Sequence, residues 1–231
     1  MKRVSVMLIV LAVVFAFALP THATLFLRGT DTNGNRLIYD DDLNITWYDY
    51  TNPANNWDNQ MSWASGLTVD FSGTIYDDWR LPSTVDGPYV FGYDGTTTAG
   101  YNITSSEVGH LFYTELGNKG LFDTNGNYQP GWSLTKIGDF QNLQQLGWYV
   151  SGTEYSANPS NVWGFTLYEG VQFNLSKNQS VYAMAVRPGD VSTAVPEPAT
   201  LLLLGSGLAG LAVCRKRLGR KQGRGGQPCG R

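Results

Sequence analysis

Apolar and polar positions repeat with two different periods along this chain. Leu43, Ile45 and Trp47 alternate with Asn44, Thr46 and Tyr48, the period of a half-buried strand. Leu37 to Tyr39 precede them, and Asp40-Asp41-Asp42 reads as a solvated turn between two strands rather than a metal cluster. Residues 57–67 carry a helical period, with Trp57, Met61 and Ala64 on one face and Trp63 and Leu67 beside it. A second helix is expected from Thr104, which stands at capping-box spacing from Glu107. Val108, Leu111, Phe112 and Leu116 form its buried stripe, and Gly117 closes it. From about residue 148 the period changes to two. Trp163, Phe165 and Leu167 alternate, as do Val171, Phe173 and Leu175, and Val181 to Arg187 form a last strand. Turns at Tyr168-Glu169-Gly170 and Lys177-Asn178-Gln179 make this a three-stranded meander. The pattern predicts one α+β domain over residues 24–194, with two helices packed on a mainly antiparallel sheet.

Both ends of the chain break this pattern. Lys2 and Arg3 precede an apolar run from Met7 to Leu19, and Pro20 leads to Thr21-His22-Ala23, where small residues suit signal peptidase. Residues 1–23 are therefore expected to be a secretory signal peptide cleaved after Ala23. At the other end, Val195-Pro196-Glu197-Pro198 precedes an apolar stretch, Ala199 to Val213, followed by Arg215-Lys216-Arg217. As a helix those apolar residues rise roughly 22 Å, short for a membrane span but workable with snorkelling basic side chains. The basic cluster and the tail at 218–231 would then lie in the cytoplasm and the body outside.

The segment 195–217 resembles the PEP-CTERM sorting signal of Gram-negative bacteria: a Pro-Glu-Pro motif, a short helix and a basic cluster, in that order. Pro196, Glu197, Pro198, Arg215, Lys216 and Arg217 carry the resemblance. It implies an exosortase as partner and cleavage near Pro196-Glu197-Pro198. It also implies a single-pass stage in the inner membrane before release to the surface or extracellular matrix. This chain departs from the usual pattern by running on past the basic cluster to Arg231.

Charge and cysteine usage narrow the chemistry. Residues 24–194 hold 7 basic and 18 acidic side chains, whereas residues 195–231 hold 7 basic and 1 acidic. So acidic a body argues against nucleic acid as its partner, because phosphate binding needs clustered Lys and Arg. The body has no cysteine, which removes disulfides, zinc-thiolate sites and cysteine nucleophiles. Cys214 and Cys229 fall where a reducing cytoplasm disfavours a disulfide.

Several blocks of the body resemble the Lcl C-terminal-domain-like family. They include Asp42-Leu43-Asn44-Ile45-Thr46-Trp47, Asp77-Asp78-Trp79-Arg80-Leu81-Pro82 and Glu107-Val108-Gly109-His110-Leu111-Phe112-Tyr113. Ser151-Gly152-Thr153-Glu154-Tyr155 and Tyr182-Ala183-Met184-Ala185-Val186-Arg187 follow in the family's order. The resemblance implies a C-type-lectin-like fold, an exported location and an association with glycans or biofilm. It brings no established catalytic residues.

Candidate chemistry is sparse. Asp31-Thr32-Asn33-Gly34-Asn35 recurs verbatim at Asp123-Thr124-Asn125-Gly126-Asn127. Alternating side-chain oxygens suit calcium, but the glycine is misplaced for an EF-hand, and Asn-Gly is itself a strong hairpin signal. Glu154, Asn158 and Asn161 resemble the way calcium-dependent lectins present oxygens around a proline, though turn chemistry explains them too. The loop 83–102 crowds Tyr89, Phe91, Tyr93 and Tyr101, a glycan platform unless the rings fold back onto the body. His110 falls opposite the apolar stripe of its helix, so solvent exposure is expected. No catalytic residue, metal ligand or resident cofactor is assigned. The expected role is a non-enzymatic surface or matrix protein associated with polysaccharide. A secreted carbohydrate-active enzyme using paired carboxylates, and a structural envelope protein without a specific ligand, stand as alternatives.

Overall fold

The structure, a computed structural model, describes residues 24–191; the expected signal peptide (1–23), sorting segment (195–217), its helix (199–213) and the tail (218–231) fall outside them. Among the described residues no helix is long and apolar enough to cross a membrane. In chain order the body runs β1 (Leu25–Thr30), β2 (Arg36–Asp40), β3 (Ile45–Asn55), α1 (Trp57–Ser65), β4 (Val69–Phe71), β5 (Thr74–Tyr76), β6 (Phe91–Gly92) and β7 (Ala99–Tyr101). It continues with α2 (Glu107–His110), a π-helical turn (Leu111–Glu115), β8 (Trp148–Glu154), β9 (Asn161–Thr166), β10 (Val171–Ser176) and β11 (Val181–Pro188). Nine strands form one sheet in the order β1-β2-β3-β11-β8-β9-β10-β7-β6, and β4-β5 is a separate hairpin.

The strands expected after residue 148 are present, but their order is not a simple meander. β8, β9 and β10 are antiparallel neighbours, whereas β11 leaves β10 and inserts between β3 and β8. It runs antiparallel to β3 and parallel to β8. The reason lies in its side chains. Ala183, Met184, Ala185 and Val186 are all buried, a run suited to a strand covered on both faces rather than to a half-exposed edge. The same holds for β3, where Ile45, Thr46, Trp47, Tyr48 and Asp49 are consecutively buried, so the alternation there separates two cores, not core from solvent.

Those cores lie on opposite faces of the sheet. Ile38, Trp47, Tyr149, Phe165 and Met184 meet Val108, Leu111 and Phe112 from α2 and the π turn on one face. On the other, Leu37, Tyr48 and Ala185 meet the β4-β5 hairpin and Trp79, while Val150, Val162 and Ala183 meet Ala64 of α1. The α+β class stands, with two short helices among the described residues, one on each side. Gln60 of α1 is fully buried and explains how the helix docks. Its Nε2 donates to Val181 O (2.7 Å) and Pro53 O (3.0 Å), and its Oε1 accepts from Asn52 (2.6 Å). These bonds satisfy backbone groups beside the register shifts of the β3–β11 ladder, which would otherwise be orphaned.

The second helix begins later than Thr104. Ser106 is its N-cap, accepting from Gly109 N (3.1 Å), because Glu107 is engaged elsewhere. Both Glu107 oxygens take a bidentate pair from Arg80 (2.7 and 2.7 Å), and Oε2 also accepts from Ser83 N (2.7 Å). After one α-helical turn, Leu116 N bonds to Leu111 O, an i→i+5 closure that inserts an extra residue and rotates everything beyond it.

Candidate functional site

The loop 83–102 resolves into two aromatic clusters held by short strands. Tyr89 stacks on the buried Trp163 (6.4 Å between ring centres, 6° between planes) and meets Phe173 edge-on (5.5 Å). Tyr93 stacks on Tyr101 (5.8 Å, 4°), and Phe91 and Phe122 abut both rings at 5.1–6.1 Å. Phe91 is 43% exposed and Tyr93 38%, so the second cluster has a buried base, Tyr101, and an open face. Two devices fix it. Asn102 donates through Nδ2 to Tyr93 O (2.7 Å) and Phe122 O (3.1 Å). Gly100, at φ +114°, lets β7 lie against β6; a Cβ there would sit 1.9 Å from Gly92 O.

Both copies of the Asp-Thr-Asn-Gly-Asn repeat are closed turns of the same design. Asp31 Oδ1 accepts from Asn33 N (2.9 Å) and Asn35 N (2.8 Å). Asp123 Oδ1 accepts from Asn125 N (2.9 Å) and Asn127 N (2.8 Å). These amides hold the Asp123 carboxyl below the usual carboxylate range. The second turn supports the aromatic face: Gly126 packs under Tyr93, where a Cβ would lie 3.2 Å from the ring.

The residues singled out in the sequence do not converge on one centre. Glu154 pairs with Lys177, whose ammonium also lies 4.3 Å from the ring centre of Trp57. Asn158 and Asn161 close the β8–β9 turn, with Asn161 N donating to Asn158 O (2.9 Å) and Tyr155 N donating to Asn161 O (3.0 Å). That turn is brought beside Tyr89, not Tyr93. Tyr155 meets Trp163 edge-on (5.3 Å), and Asp86 accepts from Trp163 Nε1 (2.8 Å) and Ser156 N (3.3 Å). An open cleft of about 390 Å³ lies between α1 and β8, lined by Met61, Arg80, Leu81, Ser83, Gly152 and Thr153. Its one charged group, Arg80, is committed to Glu107.

A second constellation was not legible in the sequence. Asp40, His110 and Glu115 each offer a ligand atom, and these atoms lie within 4.8 Å of one another. His110 is not on the solvent side: its side chain is 13% exposed, with Nε2 3.1 Å from Glu115 Oε1 and 3.7 Å from Asp42 Oδ2. The π turn is the reason. With i→i+5 closure, residues five apart stack one turn above the other, so Glu115 comes to rest on His110, whereas in a regular α-helix they would diverge. Asp40, at the end of β2, is fully buried rather than part of a solvated turn. It accepts from Leu43 N (3.0 Å) and Trp47 Nε1 (3.3 Å). Burial raises its carboxyl above the usual range. Burial, and then the charge of Asp40, do the same for Glu115, whose side chain is 1% exposed.

Residues 194–217 match the PEP-CTERM protein-sorting motif, covering Pro196, Glu197, Pro198, Arg215, Lys216 and Arg217. No curated protein and no solved structure matches the chain. The motif marks an exported protein, anchored in a membrane before processing, with an exosortase as its processing partner.

Proposed function

We propose that this chain is a non-enzymatic cell-surface or extracellular-matrix protein that binds polysaccharide through the open aromatic face of Phe91 and Tyr93. The single observation that carries the reading is a pair of exposed rings fixed on a buried base, in a protein bearing an export and sorting motif. The apolar C–H face of a pyranose ring stacks on such rings. Because Tyr93 is already held by Tyr101, Phe122 and the Asn102 hydrogen bonds, little side-chain entropy is lost on binding. The Tyr89 cluster and the turn carrying Asn158 and Asn161 flank the same loop and extend the surface available to a chain-like ligand. A C-type-lectin-like ancestry and a place in biofilm belong to this proposal, as does processing near Pro196-Glu197-Pro198. Calcium is not required by it.

The test is a binding screen of the full chain against soluble and insoluble polysaccharides, assaying each bound glycan for turnover. Replacing Phe91 and Tyr93 together by Ala should weaken binding roughly tenfold or more, as expected if each ring contributes about 1 kcal/mol. Unchanged binding in the double variant would sink the aromatic-face reading. Products that vanish with one carboxylate replacement would install the enzyme instead, and no binding to any polysaccharide would leave a structural envelope role.

A further inference from the structure

We propose that Asp40, His110 and Glu115 form a structural site for one divalent cation of the manganese class, with Asp42 completing the shell at its open side. The argument starts from charge. Two carboxylates, one fully buried and one with a side chain 1% exposed, face each other across one imidazole. Among the described residues, the charged groups that act most on Asp40 are His110 and Asp42, and on Glu115 they are Asp40, His110 and Asp42, with no lysine or arginine among them. Buried carboxylates are ordinarily paired with cations, because desolvating an ion without a counter-charge costs several kcal/mol. A single imidazole supplies at most one positive charge against three carboxylates, whereas a divalent ion neutralises Asp40 and Glu115 outright.

Geometry and ligand chemistry agree with this. The candidate ligand atoms already lie within 4.8 Å of one another, so small rotations bring them to coordination distance. Outer-shell partners are in place: Leu43 N and the Trp47 indole orient Asp40, as hydrogen-bond donors commonly orient ligating carboxylates. One nitrogen and two or three carboxylate oxygens suit manganese better than calcium, which takes oxygens alone, or than thiophilic ions. The consequence is structural. The ion would join the end of β2 to the π turn, elements about 70 residues apart in the chain, and would reward the extra residue that places Glu115 over His110.

The experiment uses the chelator-stripped full chain and Mn²⁺ alone, a probe chosen because Cys214 and Cys229 would compete for Zn²⁺. Uptake is read by electron paramagnetic resonance and the melting temperature by calorimetry. One ion per chain, a rise in melting temperature, and no displacement by equimolar Ca²⁺ are expected. His110→Gln should weaken binding by at least roughly tenfold, the loss seen even for outer-shell partners. Glu115→Gln should do so more strongly. If Glu115→Gln does not fold, His110→Gln alone decides, its fold checked by circular dichroism. No saturable uptake by the wild type, or uptake that a folded His110→Gln variant leaves unchanged, would overturn the site.

Discussion

Replacing Asp49 by Ala should cost about 2–3 kcal/mol and free one side of the irregular segment 117–147. Asp49 sits in β3, 1% exposed, and its two oxygens accept from consecutive amides, Gln141 N (2.8 Å) and Asn142 N (3.0 Å). A hydrogen bond to a charged acceptor contributes about 1.5–3 kcal/mol, so two give a gross effect of about 3–6 kcal/mol. Two effects reduce it. Gln141 is exposed, so water can replace one of the lost bonds, and burial raises the Asp49 carboxyl, so the ionised form already bears a desolvation cost. Asp49→Asn keeps the shape and one acceptor and should lose about half as much. Urea melts followed by the fluorescence of the buried Trp47 and Trp163 measure the global loss, and limited proteolysis between Asp139 and Leu146 measures the local one. The raised pKa adds a signature. Between the usual carboxylate range and the folded pKa, the folded state binds the proton more readily, so this group's contribution falls as pH rises through that window. Asp49→Asn should remove its share of that slope. A loss under about 0.5 kcal/mol in Asp49→Ala, the range of an ordinary surface change, would refute the reasoning.

Two further outcomes follow from the loop that carries the aromatic face. Gly100→Ala places a Cβ 1.9 Å from Gly92 O at φ +114°, so it should break the β6–β7 pair; a loss of Tyr fluorescence anisotropy and early proteolysis in residues 83–102 would show this, and wild-type protection would count against it. Asp86→Ala should detach the same loop from the β8–β9 turn. Hydrogen bonds from Ser156 and Trp163 hold the Asp86 carboxyl below its ordinary range, so its contribution is present above that range and lost as pH falls through the folded pKa. The difference between wild type and Asp86→Ala in loop hydrogen exchange should therefore shrink in acid, and a constant difference would be the contrary result.

What the sequence made legible was local. The β2–β3 hairpin, α1 and the strands at 161–166, 171–176 and 181–188 follow from period and turn chemistry, since neighbouring residues decide them. The insertion of β11 between β3 and β8 is a long-range choice that no local period encodes. The failure at His110 has a sharper cause. Helical-wheel reasoning assumes a constant rotation per residue, and one i→i+5 closure after His110 invalidates it. Likewise Glu107 suits a capping box until Arg80, 27 positions earlier, claims both of its oxygens. The exposed ring pair is half-legible: the crowding of aromatics shows in the chain, but which rings become base and which stay open depends on Gly100 and Asn102.

The position of β11 also determines how the domain would answer a pull. Tension applied at Val191, the last described residue, passes through only Asp190 and Gly189 before it reaches the end of β11 at Pro188. A strand at the sheet's rim would peel away one bond at a time. Drawn along its own axis while laddered to β3, β11 instead loads its bonds together, in shear. Its exit is riveted as well. Arg187 grips Asp78 (2.7 and 3.1 Å), Arg28 grips Asp190 (2.8 and 2.6 Å), and Tyr76 Oη donates to Val191 O (3.1 Å). Held at this end, the domain would take the load on β11 and its ladder to β3.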